Sequence, residues 1–389
     1  MPRGLPRGCS FPVKLFQHFS VSDFSMSASA ICLVGPQPPP RHGASAVNEA
    51  MAGCFRSAGG RVEVVNTAPS SLESAWRVRL GRLARYGAAL PRIRRFCREE
   101  PAGRVYQSLS GGPGLLFEAL VAARVRRAGL GLWLHHHSFR YLDAPYRPMD
   151  WLVRAAGPGA RHIVLGETMA EKLRARFPSI GVVLVISNAV FVGEPLPSAA
   201  DEEGRVGFTV GHLSNLSTAK GLADVIELAR LAAAGGLEMR FRIAGPFGSP
   251  AEEARYTPQL RALGNVELVG PVFGGDKDAF YRSVDAVVFP TRYRNEAEPL
   301  VVLEALRHGR PVIALGRGCV PDILSEGGLA LPPDGPFAPA ALALLTSWAR
   351  HPAELAAGQD AARRRFAALH AQSRTALQTG LLSAGTAPN

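Results

Sequence analysis

Two carboxylates eight residues apart, Glu296 and Glu304, bracket a stretch that reads as the start of a helix. Glu296 falls in the loop ahead of it. Glu304 lies about one and a half turns inside, roughly 7 Å further along the axis at about 1.5 Å per residue. The first backbone N–H groups, near Leu300 and Val301, have no partner within the helix and point between the carboxylates, a ready site for a phosphate. A pyrophosphate held there would carry a ribose toward one carboxylate and a sugar toward the other. The bare spacing also describes a solvated helix face, so the flanking elements decide between the two.

Those elements read as strand, loop, helix, strand. Ala286 to Phe289, ended by Pro290, and Val312 to Leu315 are short apolar runs of the kind that form buried parallel strands. Pro299 suits the first helical position, where its missing N–H is no loss, and Gly309 with Pro311 ends the helix.

At 389 residues, with 47% apolar and 20% charged, the chain has the size for two domains with full cores and the composition of a globular protein. Cys9, Cys32, Cys54, Cys97 and Cys319 are odd in number and scattered, which points to a reducing compartment and no disulfide frame. No apolar run approaches the roughly 18 residues needed to span a bilayer. Residues 1–27 read as a disordered extension ahead of the first strand. The formal charge is +12, and between Arg77 and Arg127 twelve arginines face three acids, Glu99, Glu100 and Glu118. With no nucleic-acid motif and few interleaved aromatics, no nucleic-acid partner is expected. An anionic membrane surface fits better, at roughly 1 kcal/mol per basic group near it; a solvated arginine-rich face is the alternative.

The segment Glu296-Ala297-Glu298-Pro299-Leu300-Val301-Val302-Leu303-Glu304-Ala305 resembles the Glu-x7-Glu motif of retaining glycosyltransferases of the GT-B fold, family 4, typically Glu-Gly-Phe-Gly-Leu-Val-x-Leu-Glu-Ala. The resemblance implies that Glu304 binds the nucleotide ribose and that Glu296 faces the transferred sugar. Pro299, Leu300 and Val301 would then line the diphosphate. Glu298 stands where relatives carry an aromatic, and it is expected to help choose the donor sugar.

The chain order agrees with that family. Ala30 to Gly35 runs into Pro36-Gln37-Pro38-Pro39-Pro40-Arg41-His42-Gly43-Ala44-Ser45, then a helix and the strand Val62 to Val65, the opening of a doubly wound domain. The loop is similar to the family's Gly-Pro-x-Pro-Pro-x-x-Gly-Gly, which implies that Gly43 and Ser45 border the acceptor; a structural turn is the plainer reading of Gly43. Gly111 and Gly112, in Ser108-Leu109-Ser110-Gly111-Gly112, occupy a loop that in relatives faces the acceptor. Leu130 to Leu134 ends in His135-His136-His137, which cannot all point one way along an extended chain, so a metal site from them alone is not expected. In relatives a histidine here sits near the sugar, and His137 is the choice, against a plain capping role.

Further along, Leu184 to Val190 reads as a short strand closing the first domain, and Pro195 to Gly204 as linker. Gly211-His212-Leu213 and, further on, Lys220-Gly221 are similar to Gly-Arg-Leu-x-x-x-Lys-Gly, whose arginine and lysine neutralise the diphosphate. Lys220 matches the lysine and His212 stands at the arginine position, so Arg292, Arg294 or Arg317 is the reserve for the second cation. The Gly270 turn is expected against the base.

The expected fold is thus α/β of GT-B architecture: two doubly wound Rossmann-like domains across a cleft. The acceptor-binding domain spans 28–195, the linker 196–204 and the donor domain 205–350. Residues 351–389 form a helix returning to the first domain, plus a tail. No cofactor and no metal are expected beyond the nucleotide-sugar co-substrate, a UDP- or GDP-sugar. The acceptor is expected to be a saccharide or a polyprenyl-linked one, and the location cytoplasmic or on the inner membrane face. A catalytically silent protein of the same fold, binding a polysaccharide or a partner transferase, is the alternative.

Overall fold

The computed structural model describes residues 30–39, 43–68, 75–197 and 207–382, with the side chains of 75–84 excepted. The expected extension 1–27, His42 and residues 198–204 of the expected linker lie outside them.

Short apolar runs with turn residues after each become parallel strands, and the amphipathic segments between them become covering helices. In the first half these are β1 (Ala30–Gly35), α1 (Gly43–Ser57), β2 (Arg61–Asn66), α2 (Ala75–Glu99), β3 (Arg104–Ser108), α3 (Leu115–Arg127), β4 (Gly131–His135), α4 (Arg140–Asp143), α5 (Arg147–Ala156), β5 (Arg161–Val164), α6 (Glu167–Arg176), β6 (Val183–Val185) and α7 (Ala189–Val192). The strands pair in the order β2-β1-β3-β4-β5-β6, all parallel. Every residue of β1 is buried, as befits a strand covered on both faces.

The second half continues with β7 (Phe208–Leu213), α8 (Leu222–Ala234), β8 (Met239–Ala244), α9 (Pro250–Arg261), β9 (Val266–Gly270), α10 (Gly275–Arg282), β10 (Ala286–Phe289), α11 (Leu300–Arg307), β11 (Val312–Leu315), α12 (Val320–Leu324), β12 (Gly328–Leu331), α13 (Phe337–Arg350) and α14 (Pro352–Leu377). Its order is β12-β11-β10-β7-β8-β9, again all parallel.

The end of the chain returns to the first sheet. Leu377, Leu381 and Leu382 are buried in the same apolar cluster as Ile31, Phe55, Trp133 and Ile163. At about 1.5–3 kcal/mol for each large apolar side chain buried, this contact ties α14 firmly to the first domain.

Two local readings differ. Only Val183–Val185 of the stretch expected as a strand is extended; Ser187 and Asn188 then turn into α7 because their polar groups bond outside the sheet. Pro299 precedes α11 as its cap: its backbone is extended at ψ 119°, and its carbonyl accepts the first bond from Val302 N at 3.1 Å.

Candidate functional site

Strand order fixes where a ligand can enter. In the second sheet the order reverses between β7 and β10, so the loops leaving their carboxyl ends diverge and open a crevice. Lys220 lies on the loop after β7 and Glu296 on the loop after β10. They meet there: Lys220 Nζ is 2.5 Å from Glu296 Oε2, and the Thr291 hydroxyl donates to the same oxygen at 2.9 Å. Lys220 also stands 5.0 Å from the centroid of the exposed Tyr293 ring. The lysine loop reaches this place because Gly221 takes φ +80°, and a Cβ on it would come within 2.0 Å of the Pro290 carbonyl. Arg292 N, donating to Ala219 O at 2.9 Å, joins the two loops.

Glu304 projects from the second turn of α11, half-buried. Lys277 Nζ of α10 is paired with its Oε1, and the Tyr281 hydroxyl lies 3.0 Å from its Oε2. No side-chain hydrogen bond caps α11, whose first N–H groups, at Leu300 and Val301, come four and five residues after Glu296. Gly270, at φ +85° with open space where a Cβ would stand, closes β9.

Two residues assigned to the donor are placed differently. His212 is buried in β7, its Nδ1 3.0 Å from the Val288 carbonyl and its Nε2 2.9 Å from Ser214 Oγ. Burial pushes its pKa down to about 4, so at neutral pH it is an uncharged tie between β7 and β10 and supplies no cation. Glu298 is also buried and turns away from Glu296: Ser187 Oγ donates to its Oε1 and Asn188 N to its Oε2, both at 2.6 Å. With both oxygens taken by the first domain, it does not face a donor sugar. Of the reserve cations, Arg292 is held by Asp224 at 2.8 and 2.7 Å and Arg317 by Asp334 at 2.6 Å, while Arg294 is exposed.

The first sheet reverses between β1 and β3, and the loops after those strands carry the residues expected on the acceptor side. Gly43 is exposed and opens α1, with Ser45 buried in its first turn. Gly111 packs so closely on Ser138 that a Cβ would lie 2.5 Å from its hydroxyl, and Gly112 is the next residue of that loop. Glu118, buried at the start of α3, accepts Ser110 N on both oxygens at 3.1 Å; burial raises its pKa to about 7.

The three histidines alternate. His135 and His137 approach to 4.1 Å between ring centroids, while His136 points to the other side, 3.1 Å from the Tyr141 hydroxyl and 3.0 Å from His162 Nδ1. Burial holds His135 and His136 well below the usual imidazole range, leaving the half-buried His137 as the member nearest solvent. Among the described residues no group of three or more His, Cys, Asp or Glu is placed to hold a metal ion.

The carboxyl edges of the two sheets face each other. Glu298 follows β10 and meets Ser187 after β6. Asp322, after β11, accepts Thr168 N at 2.9 Å and its hydroxyl at 2.6 Å, just after β5. Lys277, Tyr281 and Thr291 were not anticipated from the sequence, which offers no periodicity or motif linking Lys277 to a glutamate twenty-seven residues away.

Residues 205–347 match the family described as Glycosyl transferases group 1. Over 247 residues the chain is 28% identical to sulfoquinovosyl transferase SQD2 of Arabidopsis thaliana, covering 56% of this chain and 44% of that protein. The chain thus spans less than half the length of this curated relative. Among solved structures it is similar to sucrose-phosphate synthase from Thermosynechococcus elongatus, with TM-score 0.68, 18% identity, and 91% and 98% of the two chains covered. It is also similar to Anabaena Alr3699/HepE in complex with UDP and glucose, with TM-score 0.63, 18% identity, and 90% and 98% covered. The fold is GT-B.

Proposed function

We propose that the chain is a glycosyltransferase that moves a sugar from a nucleotide-sugar, a UDP- or GDP-sugar, to a saccharide or lipid-linked acceptor with retention of anomeric configuration. The observation that carries this is the Lys220–Glu296 pair at 2.5 Å, set at the reversal point of the second sheet beside the uncapped start of α11, with Glu304 one turn further on. The matched family and the solved neighbour holding UDP and glucose support it.

Glu304 accepts ribose hydroxyls, oriented by Lys277 and Tyr281. The α11 N-terminus and Lys220 receive the diphosphate, and their positive charge offsets the negative charge that builds on the departing phosphate as the glycosidic bond breaks. Glu296, released from Lys220 as the lysine turns to the phosphate, stabilises the positive charge that develops on the sugar. The acceptor hydroxyl approaches from the loops that carry Gly43, Ser45, Gly111 and Gly112, with His137 beside the sugar.

Because fixed cations and backbone N–H groups fill the role at the diphosphate, transfer is proposed to be metal-independent; turnover unchanged by EDTA is the expected result. A thermal-shift series with UDP, GDP, ADP and their common sugar conjugates, on wild type and Glu304→Ala, tests the donor site. One nucleotide shifting wild type and not the variant supports the assignment. No shift with any of them would favour a catalytically silent protein, the reading to which the uncharged, locked His212 lends weight.

The acceptor is proposed to be polyprenyl- or lipid-linked, met at the cytoplasmic membrane face by the basic first domain. No helix of the described residues is long and apolar enough to cross a membrane.

A further inference from the structure

We propose that Glu298 is a positioning residue, a strut from the second domain into the first that sets the loop carrying Glu296 and makes transfer depend on the docking of the two domains. The inference rests on the glycosyltransferase reading for its activity arm, and on geometry for the rest.

Glu298 lies two residues beyond Glu296 in one short loop. Its end on the first domain is firmly placed: Ser187 Oγ and Asn188 N both reach it at 2.6 Å, Ala189 N donates to Ser187 Oγ at 3.1 Å, and Ser187 N donates to Ser373 Oγ of α14 at 2.9 Å. Its end on the second domain is equally fixed. Cys319 N donates to the Ala297 carbonyl at 2.8 Å, and Gly318 takes φ +59° with no room for a side chain, since a Cβ would lie 2.3 Å from the Glu296 carbonyl. A shift of the first domain must therefore pull on the backbone between Glu296 and Glu298. Asp322 repeats the device next door by capping the first turn of α6 at Thr168. Two carboxylates of one domain thus accept backbone N–H groups at turns of the other, bonds that separation would exchange for bonds to water.

Docking removes the Glu298 carboxyl from water, and burial pushes its pKa from 4.5 up to about 8. Asp322 on α12 adds to the rise; the Cys319 thiol beside it is raised by its own burial first and then by Glu298 and Asp322, with Lys172 of α6 opposing. On the α14 side Glu194 is met by Arg374 at 3.5 Å and His370 at 3.8 Å. A pKa raised in the docked form means that docking is favoured by the protonated acid and weakens as pH rises through about 8. Glutamine is uncharged like that acid: its carbonyl accepts Asn188 N, and its amide N–H meets Ser187 Oγ once that hydroxyl turns from donating to accepting, the same turn the protonated acid requires.

The experiment compares wild type, Glu298→Gln and Glu298→Ala between pH 6 and 9. It uses solution X-ray scattering for the domain arrangement, thermal unfolding as the fold control, and nucleotide release from a panel of UDP-glucose, GDP-mannose and ADP-glucose. Expected are a larger radius of gyration for Glu298→Ala, and a kcat lower by about 100-fold, the scale of an ångström-sized misplacement, with donor KM unchanged. Wild type should expand and lose kcat above pH 8, whereas Glu298→Gln should stay compact and active there. A folded Glu298→Ala with wild-type dimensions and kcat would overturn the strut, as would a raised donor KM at unchanged kcat, which would return Glu298 to the donor. If Glu298→Ala does not fold, the alkaline behaviour of Glu298→Gln against wild type decides. Wild type that releases no nucleotide while scattering still follows Glu298 would sink the transferase reading and leave the strut standing.

Discussion

Lys277 Nζ is paired with Glu304 Oε1, and the Tyr281 hydroxyl holds the other oxygen at 3.0 Å. The carboxylate assigned to the ribose is therefore neutralised and aimed before any nucleotide arrives, which lowers the cost of ordering it on binding. Hydrogen bonds to a charged group contribute about 1.5–3 kcal/mol, so Glu304→Ala is expected to weaken nucleotide binding by about 10- to 150-fold in a calorimetric titration. Lys277→Ala should cost less, because Tyr281 still orients the carboxylate. Wild-type affinity in Glu304→Ala would remove the ribose assignment.

Lys220→Ala is expected to lower kcat by about 10²–10³-fold, the scale seen when one preorganised group facing developing charge is lost. The fold should be unaffected, because Thr291 still holds Glu296 and Lys220 itself is only half-buried. Lys220→Ala combined with Glu296→Gln should cost less than the sum of the two, since the side chains touch. Strict additivity would mean that the pair does not act on one reaction centre.

Stability should be greatest on the acid side of neutrality. Glu298 and Glu118 have folded pKa values raised to about 8 and about 7, so their contribution is complete below the unfolded value of 4.5 and disappears as pH rises through those figures. His212 and His162 are lowered to about 4, so theirs is complete above 6.5 and disappears as pH falls toward 4. Melting temperature from pH 4 to 9 should peak between the two limbs. Glu298→Gln should flatten the alkaline limb alone, an effect on the order of a few kcal/mol. An unchanged alkaline slope in that variant would show that Glu298 is ionised in the fold.

Strand positions were legible because buried parallel strands leave short unbroken apolar runs, as at Val312–Leu315. Lys220 and Glu296 each follow a strand flanking the reversal point, a strand order that only the folded sheet supplies, so their contact is a structural finding. What failed was the state of individual polar groups. His212, at the family's arginine position, is expected at the donor, but β7 is the middle of a covered sheet, and burial leaves it a neutral tie between strands. Glu298 read as a sugar ligand, while its partners, Ser187 and Asn188, lie more than a hundred residues earlier on the other domain. No local pattern encodes a contact of that span.

The membrane proposal gains a specific surface. Leu116, Leu120 and Trp151 are among the exposed large apolar side chains, on the helices α3 and α5, which pack together and are joined by Arg126 Nη1 donating to Arg154 O at 3.1 Å. Exposed Arg126, Arg127, Arg147 and Arg154 lie on the same two helices. The arginines of α2 are partly spent elsewhere: Arg92 and Arg95 share Glu63 at 3.2 and 3.7 Å. Exposed apolar and basic side chains on one pair of helices suit an anionic interface, where each basic group adds roughly 1 kcal/mol and the Debye length of about 10 Å at 0.1 M salt sets the reach. The protein should therefore sediment with phosphatidylglycerol vesicles at low salt and not with phosphatidylcholine vesicles. Leu120→Glu with Trp151→Glu should abolish this, and Arg92, Arg94 and Arg95 changed to alanine should weaken it less. Equal binding to both lipids would deny the charge its role, and no binding to either would point to an acceptor free in solution.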